Sequence, residues 1–469
     1  MGGMRLVAGV AVLTLATAWP GAATRVFADT MESALVRSYQ SNPQLNAQRA
    51  SVRATDESVP QALSGYRPKV AITASGGYQY TDITFGQRLP GQGNVLGRIS
   101  GNQTPVTVGA TVSQTLFDGF QTANRTRAAE GQVSASREGL RVLEQTVLLA
   151  AATIYMDYLR DSAIVEVQRS NVRVLEETLK QTRDRFNVGE VTRTDVAQSE
   201  AQLAAGRTQL MAAESNLTTT RANYRRIVGN EPGQLAPGSP VDRFLPATLS
   251  AAVDLGLIQN PNVTAAMYGI DVSHLQVKVA EGALFPSVSL QANVQQGQNQ
   301  QLTVPKQLIA SALAQVTVPI YQGGAEYSLI RQSKETLAQQ RLTLELVRTQ
   351  ARASVVQAWG QLVATKLQVQ SAQAQVEASE IAVNGIREEA KAGQRTTFDV
   401  LVAQQTLVTA RVALVTAQHD RVVASYAVLN AIGRLSPQVL KLNTTAYDPS
   451  VHYHQVRDSW GGMRTPDGQ

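Results

Sequence analysis

The sequence contains two related copies of one long segment, and the spacing of the matching motifs limits how the chain can fold. Asn42-Pro43 recurs as Asn260-Pro261, an offset of 218 positions. Further along, Asn187-Val188-Gly189 and Lys391-Ala392-Gly393 match at an offset of 204, so the first copy has 14 extra residues between positions 68 and 117. A repeat of roughly 200 residues is far longer than the roughly 20–50 residues of a solenoid unit. Each copy is therefore predicted to be a complete assembly of helices and strands.

The N-terminus has the layout of a secretory signal peptide. Arg5 precedes an apolar run over positions 6–18, and small residues follow at the candidate cleavage sites Ala23 and Ala28. A short apolar segment with a basic residue before it and a small-residue site after it is typical of exported proteins. We therefore expect residues 1–28 to be a signal peptide.

Composition argues against several classes of function. The sequence has no Cys and only four His, which excludes disulfides, thiol catalysis and a lipid-modified N-terminal cysteine. His452 and His454 form no convincing metal-ligand set, and no glycine-rich phosphate loop or clustered acid pair is found. The formal charge of +6 is spread along the chain, so no nucleic-acid partner is expected. We predict a protein that is not an enzyme and has no cofactor or metal.

Two segments, about 68–117 and about 286–321, have the alternation of membrane strands. In the first, Val70 and Ile72 alternate with Thr73 and Ser75, and the second repeats this pattern. No run of about 20 apolar residues follows the signal, so membrane insertion would require a closed β-barrel. The alternation fits tilted barrel strands, although it fits a soluble hairpin as well. Gly- and Pro-rich stretches predict loops from Phe85 to Gly101 and from Gly297 to Lys306.

The rest of each copy is predicted to be helix of unusual length. Positions 122–187 and 325–391 contain no proline, and about 65 residues of helix would measure about 100 Å. Apolar residues recur every seven positions in the second copy, which indicates helices packed side by side. Glycine-containing breaks then start second helices that end near positions 228 and 432. The heptad positions are Val355, Leu362, Val369, Val376 and Val383.

These segments define the expected domain order. A first structural repeat covers 29–229, with its helical hairpin at about 122–228, and a second covers 247–433, with its hairpin at about 325–432. Four prolines lie between positions 230 and 246, which is typical of a linker. The regular pattern fades after Gly433, so residues 434–469 are predicted to be a flexible tail.

The order of elements and the two tip motifs resemble those of the TolC family of outer-membrane efflux and secretion channels. Residues 189–196 have the sequence Gly-Glu-Val-Thr-Arg-Thr-Asp-Val, and residues 393–400 have Gly-Gln-Arg-Thr-Thr-Phe-Asp-Val. The resemblance covers residues 29 to about 435. Without a lipidation cysteine, the chain is similar to the non-lipidated type I secretion branch.

The resemblance implies a mostly α-helical fold with a membrane β-barrel. Four strands cannot close a barrel in lipid, whereas three copies of the chain would supply twelve strands and a helical barrel reaching into the periplasm. The expected protein is a homotrimeric channel-tunnel of the outer membrane, in contact with its lipid. It would export proteins or small toxic compounds, by type I secretion or multidrug efflux, with a periplasmic adaptor (membrane fusion) protein and an inner-membrane ABC or RND-type transporter.

The resemblance also implies a gate at the periplasmic end. Thr194, Asp195 and Arg395 match gate residues of the family, whereas Ala390 occupies the place of a gate tyrosine. The gate is therefore expected to depend on an Asp195–Arg395 ion pair or on other contacts. The alternative is that Thr194 and Asp195 only cap the helix that follows.

Two further sites follow from the resemblance. Asp399 matches an acidic ring in the pore, whereas Val402 stands where a second acid would be. Val188, Gly189 and Gly393 lie at the hairpin tips that meet the adaptor. The alternatives are a dipole partner for Asp399 and helix ends for the glycines.

Two other classes of protein remain as alternatives. An exported structural or adhesive coiled coil would use the alternating segments as soluble hairpins. A periplasmic adaptor would need one hairpin beside a lipoyl-like domain, and the duplicated hairpin argues against it. The need for detergent during extraction distinguishes a channel from a fibre.

Overall fold

The computed structural model describes residues 29–89, 93–466 and 468. The predicted signal peptide, residues 1–28, lies outside the described residues. The described chain contains ten α-helices and six β-strands. In chain order they are α1 (Met31–Ser41), α2 (Pro43–Asp56), α3 (Ser58–Leu63), β1 (Lys69–Gly76), β2 (Gln79–Leu89), β3 (Gly93–Gln103), β4 (Val106–Phe117), α4 (Gln121–Asn187), α5 (Arg193–Val228), α6 (Leu249–Gln259), α7 (Pro261–Gly282), β5 (Ser287–Gln301), β6 (Val304–Thr317), α8 (Ala325–Lys391), α9 (Thr397–Ile432) and α10 (Ser450–Val456).

Two helical hairpins form most of the molecule. Helices α4 and α8 have 67 residues each, and the return helices α5 and α9 have 36 each. A 67-residue helix measures about 100 Å. On α8 the heptad positions Val355, Leu362 and Val383 are buried, as a seam between packed helices requires. Helix α4 also packs against α9, so the two hairpins lie side by side.

The strands of both repeats join in one antiparallel sheet of order β1-β4-β5-β6. Its register pairs Val112 with Ala292 and Ala110 with Val294, which joins the first repeat to the second. Cross-strand partners lie on the same face of a sheet. Apolar residues of all four strands therefore share one face. This face includes Val70, Ile72, Val106, Val108, Ala110, Val112, Leu290, Ala292, Val294, Leu308, Ala312 and Val316.

The opposite face of this sheet is mainly polar. Thr73 pairs with Gly109, and Thr111 pairs with Asn293, whose side chain accepts a hydrogen bond from Ser311. Ile309 and Leu313 are exceptions on this face. The alternation seen in the sequence therefore produces a sheet with one apolar and one polar surface.

The predicted loop from Phe85 to Gly101 is wrong, because most of it forms a two-stranded ribbon of β2 and β3. Alternation continues into this stretch, where Ile83 pairs with Ile99. The ribbon favours glycine at position 97, because a Cβ atom there would lie 2.6 Å from the Phe85 ring. In the second repeat β5 and β6 also extend into the predicted loop and leave only a short turn. The 14 extra residues of the first repeat thus belong to a longer hairpin.

The main core lies where α1, the linker and the tail pack around the middle of α4 and the C-terminal ends of α5 and α9. Tyr155 and Tyr224 are fully buried there. The hydroxyl of Tyr155 donates to the carbonyls of Asp29 (2.8 Å) and Ala236 (2.6 Å). Since burial raises the pKa of Tyr155, its hydroxyl stays protonated and connects the N-terminus to the linker.

The tail is not the flexible segment that we predicted for residues 434–469. Leu435 and Leu440 are buried in the core, and α10 packs against α2. The buried His452 lies with Nδ1 3.1 Å from Oδ2 of Asp56, a fully buried carboxylate. Buried apolar residues hold the tail against the core. They do not recur at a regular spacing in the sequence, so no helix or strand period predicts them.

Among the described residues, one helix, Thr397–Ile432 (α9), is long and apolar enough to cross a membrane by length and composition alone, with a mean hydropathy of 1.4. This helix packs along α8 and against α4, and its Leu407 and Leu429 are buried. Its apolar composition thus matches its position between two neighbouring helices.

Candidate functional site: the hairpin tips

The first hairpin tip is a short exposed turn closed by a capping box. Gly189 has a left-handed backbone (φ +78°) just after α4, and Val188 before it is 72% exposed. Helix α5 starts with Thr192 as N-cap. The Asp195 carboxylate accepts hydrogen bonds from the Thr192 backbone N–H (2.9 Å) and hydroxyl (2.7 Å). These hydrogen bonds lower the pKa of Asp195, so its charge is stabilised at the start of the helix.

The second tip has the same geometry. Gly393 is left-handed (φ +79°), and Thr396 is the N-cap of α9. The Asp399 carboxylate accepts from the Thr396 N–H and hydroxyl, both at 2.9 Å. Backbone and side-chain hydrogen bonds from Thr396 lower the pKa of Asp399. Asp399 is half-buried, and Val402, where a second acid was expected, is an apolar side chain that is 49% exposed.

The predicted gate residues do not contact one another within a single chain. Arg395 pairs with Glu389, with Nε 3.0 Å from Oε2, and this carboxylate raises the pKa of Arg395. Among the ion pairs of the described residues, none joins Asp195 to Arg395. Thr194 lies in the first turn of α5 but is not its cap, which is Thr192. Within one chain, Asp195 therefore caps the start of α5, which was the alternative to a gate role. A contact between Asp195 and Arg395 would have to form between chains.

A polar groove of about 810 Å³ lies behind the tips, between the two hairpins. Arg173 and Arg185 of α4 line one side, and Arg387 and Lys391 of α8 line the other, with Glu190 at the first tip. The groove could not be predicted from the sequence, because its two sides lie about 200 positions apart in the chain. The lining carries four basic side chains and two acidic ones, Glu177 and Glu190, and Glu190 pairs with Arg185 at 3.0 Å, so the groove has a net positive charge close to the exposed tips.

A second charged cluster lies at mid-height, where α4 and α9 meet. His419 is 7% exposed, with Nε2 2.9 Å from Oδ1 of Asp157 and Nδ1 2.8 Å from Oδ1 of Asp420. Burial lowers the pKa of His419, but the carboxylates outweigh burial and raise it overall. Arg160 pairs with Asp157 at 2.8 Å and compensates the acids. The ion pair of His419 with Asp157 therefore connects α9 of the second hairpin to α4 of the first.

No metal-ligand set is formed by the part of the chain that the structure describes. His452, considered above as a metal ligand, is buried and pairs with Asp56. His454 packs its ring edge against Tyr453, at 5.4 Å between centroids. The two histidines therefore have separate packing environments.

Comparison with known proteins identifies the family. The outer membrane efflux protein family matches residues 34–230 and again 252–434, one match for each repeat. The chain is 40% identical to the outer membrane efflux protein BepC of Brucella suis, over 98% of this chain and 97% of BepC. It is 26% identical to the outer membrane protein TolC of Vibrio cholerae, over 88% and 92% of the two chains. The crystal structure of the CmeC outer membrane channel of Campylobacter jejuni aligns with a TM-score of 0.76 at 18% identity, over 91% of this chain and 89% of CmeC. The chain therefore belongs to the outer membrane efflux protein family, and it is a TolC-like export channel of the outer membrane.

Proposed function

We propose that three copies of this chain form one channel, with a twelve-stranded β-barrel in the membrane and a helical tunnel in the periplasm. The observation that carries this proposal is the four-stranded sheet, in which β1 and β6 each pair with only one strand of the described chain. Open sheet edges are not stable in lipid, so another copy must pair with each edge. Three copies give twelve strands, an even number within the range of bacterial barrels.

The apolar face of the sheet supports the membrane position. Ile72, Val108, Val294 and Leu308 are between 51% and 78% exposed in a single chain. Such an exposed apolar surface marks contact with a partner or with lipid. In the proposed barrel this face contacts lipid, and the polar face lines the pore.

We further propose that the channel exports proteins or small toxic compounds, by type I secretion or multidrug efflux. An inner-membrane ABC or RND-type transporter would supply the cargo through a periplasmic adaptor. The match with BepC, which is named an efflux protein, supports transport of small compounds. Helices of about 100 Å allow the tunnel to cross much of the periplasm toward such partners.

The adaptor is proposed to bind the tips. No atom of the described residues lies within 4 Å of a Cβ atom placed at Gly189 or at Gly393, so the turns are open to a partner. Val188 adds an exposed apolar group. The positive groove behind the tips favours an adaptor surface that carries acidic side chains.

The gate is proposed to form between neighbouring chains. Three-fold symmetry would bring Asp195 and Asp399 of each chain around the pore axis, where like charges repel. Arg395 can offset this charge if it exchanges Glu389 for an aspartate of another chain. The gate would thus consist of Thr194, Asp195 and Arg395, with Asp399 as the acidic ring.

The mass of the detergent-extracted protein tests the proposed assembly. Light scattering with the detergent contribution subtracted should give three times the mature chain mass, and extraction should require detergent. A monomer or fibre that dissolves without detergent would favour the exported structural coiled coil and would exclude the channel.

A further inference from the structure

Asn260 connects two helices through the oxygen and the nitrogen of its side-chain amide. Its Oδ1 accepts a hydrogen bond from the N–H of Asn262 (2.9 Å), in the first turn of α7. Its Nδ2 donates to the carbonyl of Ala431 (3.0 Å), in the last turn of α9. A helix leaves the N–H groups of its first turn and the C=O groups of its last turn without intrahelical partners. One amide therefore satisfies such groups on two helices.

The first repeat builds the same junction. Asn42 Oδ1 accepts from the N–H of Gln44 (2.9 Å), and Nδ2 donates to the carbonyl of Ile227 (3.4 Å) at the end of α5, a carbonyl that also accepts from the Ser38 hydroxyl (3.2 Å). Asn42 and Asn260 lie 218 positions apart, whereas Ile227 and Ala431 lie 204 apart. The junction thus forms in both repeats, although the first repeat has 14 more residues between its two partners.

Backbone contact makes the second junction tight. Gly433 closes α9 with a left-handed backbone (φ +86°), and a Cβ atom there would lie 2.6 Å from Cα of Asn260. No larger residue fits at this position without displacing the start of α7. In the first repeat Gly229 (φ +94°) closes α5 beside Ser41.

Helix capping alone does not account for asparagine at these positions. Asp and Ser cap helices about as well, since capping needs only a side-chain oxygen. An ionised Asp has no donor, and the single hydroxyl of Ser sits directly on Cβ, whereas the amide of Asn carries a separate acceptor and donor one carbon further out. Asn42 and Asn260 are buried, 9% and 7% exposed, and Ala431 is 9% exposed, so the carbonyl that Asn260 binds has little access to water.

We propose that Asn42 and Asn260 are positioning residues of the channel, which fix the membrane-side ends of α5 and α9 to the helices that lead into the sheet. This rests on the proposed channel function. A 36-residue return helix places its tip about 54 Å from the junction. A rotation of about 5° at the junction would therefore move the tip by about 5 Å. The two amides hold the tips in a defined position relative to the barrel.

Two substitutions that keep the cap and remove the amide donor test the proposal. Asn260→Asp and Asn260→Ser are compared with Asn262→Asp, which adds the same charge at an exposed position of the same turn. Hydrogen exchange of the detergent-purified protein should become roughly three- to tenfold faster at residues 429–433, because one hydrogen bond is lost. Exchange in the first turn of α7 should not change. Single-channel recordings in planar bilayers should show a broader distribution of conductance, with Asn262→Asp like the wild type.

Equal exchange in all three variants would show that the cross-helix bond has no effect, and the proposal would be wrong. Faster exchange with unchanged conductance would also overturn the positioning role and leave the channel function intact. A wild-type protein that forms no channels would instead overturn the proposed function. If Asn260→Asp does not assemble, Asn42→Asp and Asn42→Ser are made in Ser38→Ala, which removes the second donor to Ile227, with Gln44→Glu in Ser38→Ala as the control.

Discussion

Asp195 and Asp399, 204 positions apart, make the same pair of hydrogen bonds to a threonine three residues before them. The resemblance had implied a gate for the first and an acidic ring for the second. In one chain the two aspartates make the same hydrogen bonds, so a difference in function must come from the residues around them. Arg395 lies next to the second tip, whereas the aligned position of the first tip is Val191.

Breaking the gate should open the channel. Asp195→Ala and Arg395→Ala are each expected to raise single-channel conductance in planar bilayers, because they remove the charges proposed to hold the tips together. Thr192→Ala is the control for Asp195, since it removes the hydroxyl partner and leaves the carboxylate. Unchanged conductance in both charge variants would remove these residues from the gate.

The acidic ring should bind cations. Asp399→Asn is expected to weaken block of the channel by multivalent cations added on the periplasmic side, because one charge per chain is lost from the pore. Asp399→Glu keeps the charge and should retain block. Equal block in the Asn and Glu variants would place Asp399 outside the pore.

The tips should lose stability in acid. Hydrogen bonds lower the pKa of both Asp195 and Asp399 below the ordinary value of 3.8. A carboxylate whose pKa is lowered by folding stabilises the folded state above its ordinary pKa, and this contribution is lost as the pH falls through the lowered value. Limited proteolysis at the tips should therefore accelerate between about pH 5 and pH 2, with a smaller change in Asp195→Asn. A variant as acid-sensitive as the wild type would contradict this.

His419 should have the opposite pH dependence. Its pKa is raised above the ordinary 6.5 by Asp157 and Asp420, against the effect of burial. Its charged form therefore contributes stability that is fully present below about pH 6.5 and is lost as the pH rises through the raised pKa. His419→Gln should lower the Tm relative to wild type at about pH 6 and much less at about pH 9. The difference should become smaller in Asp157→Asn, in which Asp420 remains as the partner of His419.

The heptad seam should be sensitive to cavity formation. Leu362 is 2% exposed in the seam of α8, and Leu362→Ala is expected to cost about 2–5 kcal/mol, measured from denaturant or thermal unfolding. Val363 is 46% exposed in a single chain and provides the matched control. If Val363→Ala has as large an effect, that face of α8 is buried between chains.

Sequence patterns with a regular period were sufficient to predict the two hairpins and the two-sided sheet. Heptads place Val355 and Leu362 in the seam, and alternation places Val70 and Val294 on one face. Features whose residues do not recur at a regular spacing in the sequence were not predicted. The tail was predicted to be flexible because the contact of His452 with Asp56 joins residues far apart in the chain. The tip groove was missed for the same reason, since Arg173 and Arg387 meet only in the folded chain.

The ribbon of β2 and β3 gives the two ends of the molecule different symmetry. Both repeats end in nearly identical tips, so a trimer would present six similar tips around its periplasmic opening. The ribbon occurs only in the first repeat, so the outer opening would present three. In the proposed trimer, a partner that approaches from the periplasm would therefore meet up to six quasi-equivalent positions, whereas a molecule that approaches from outside the cell would meet three.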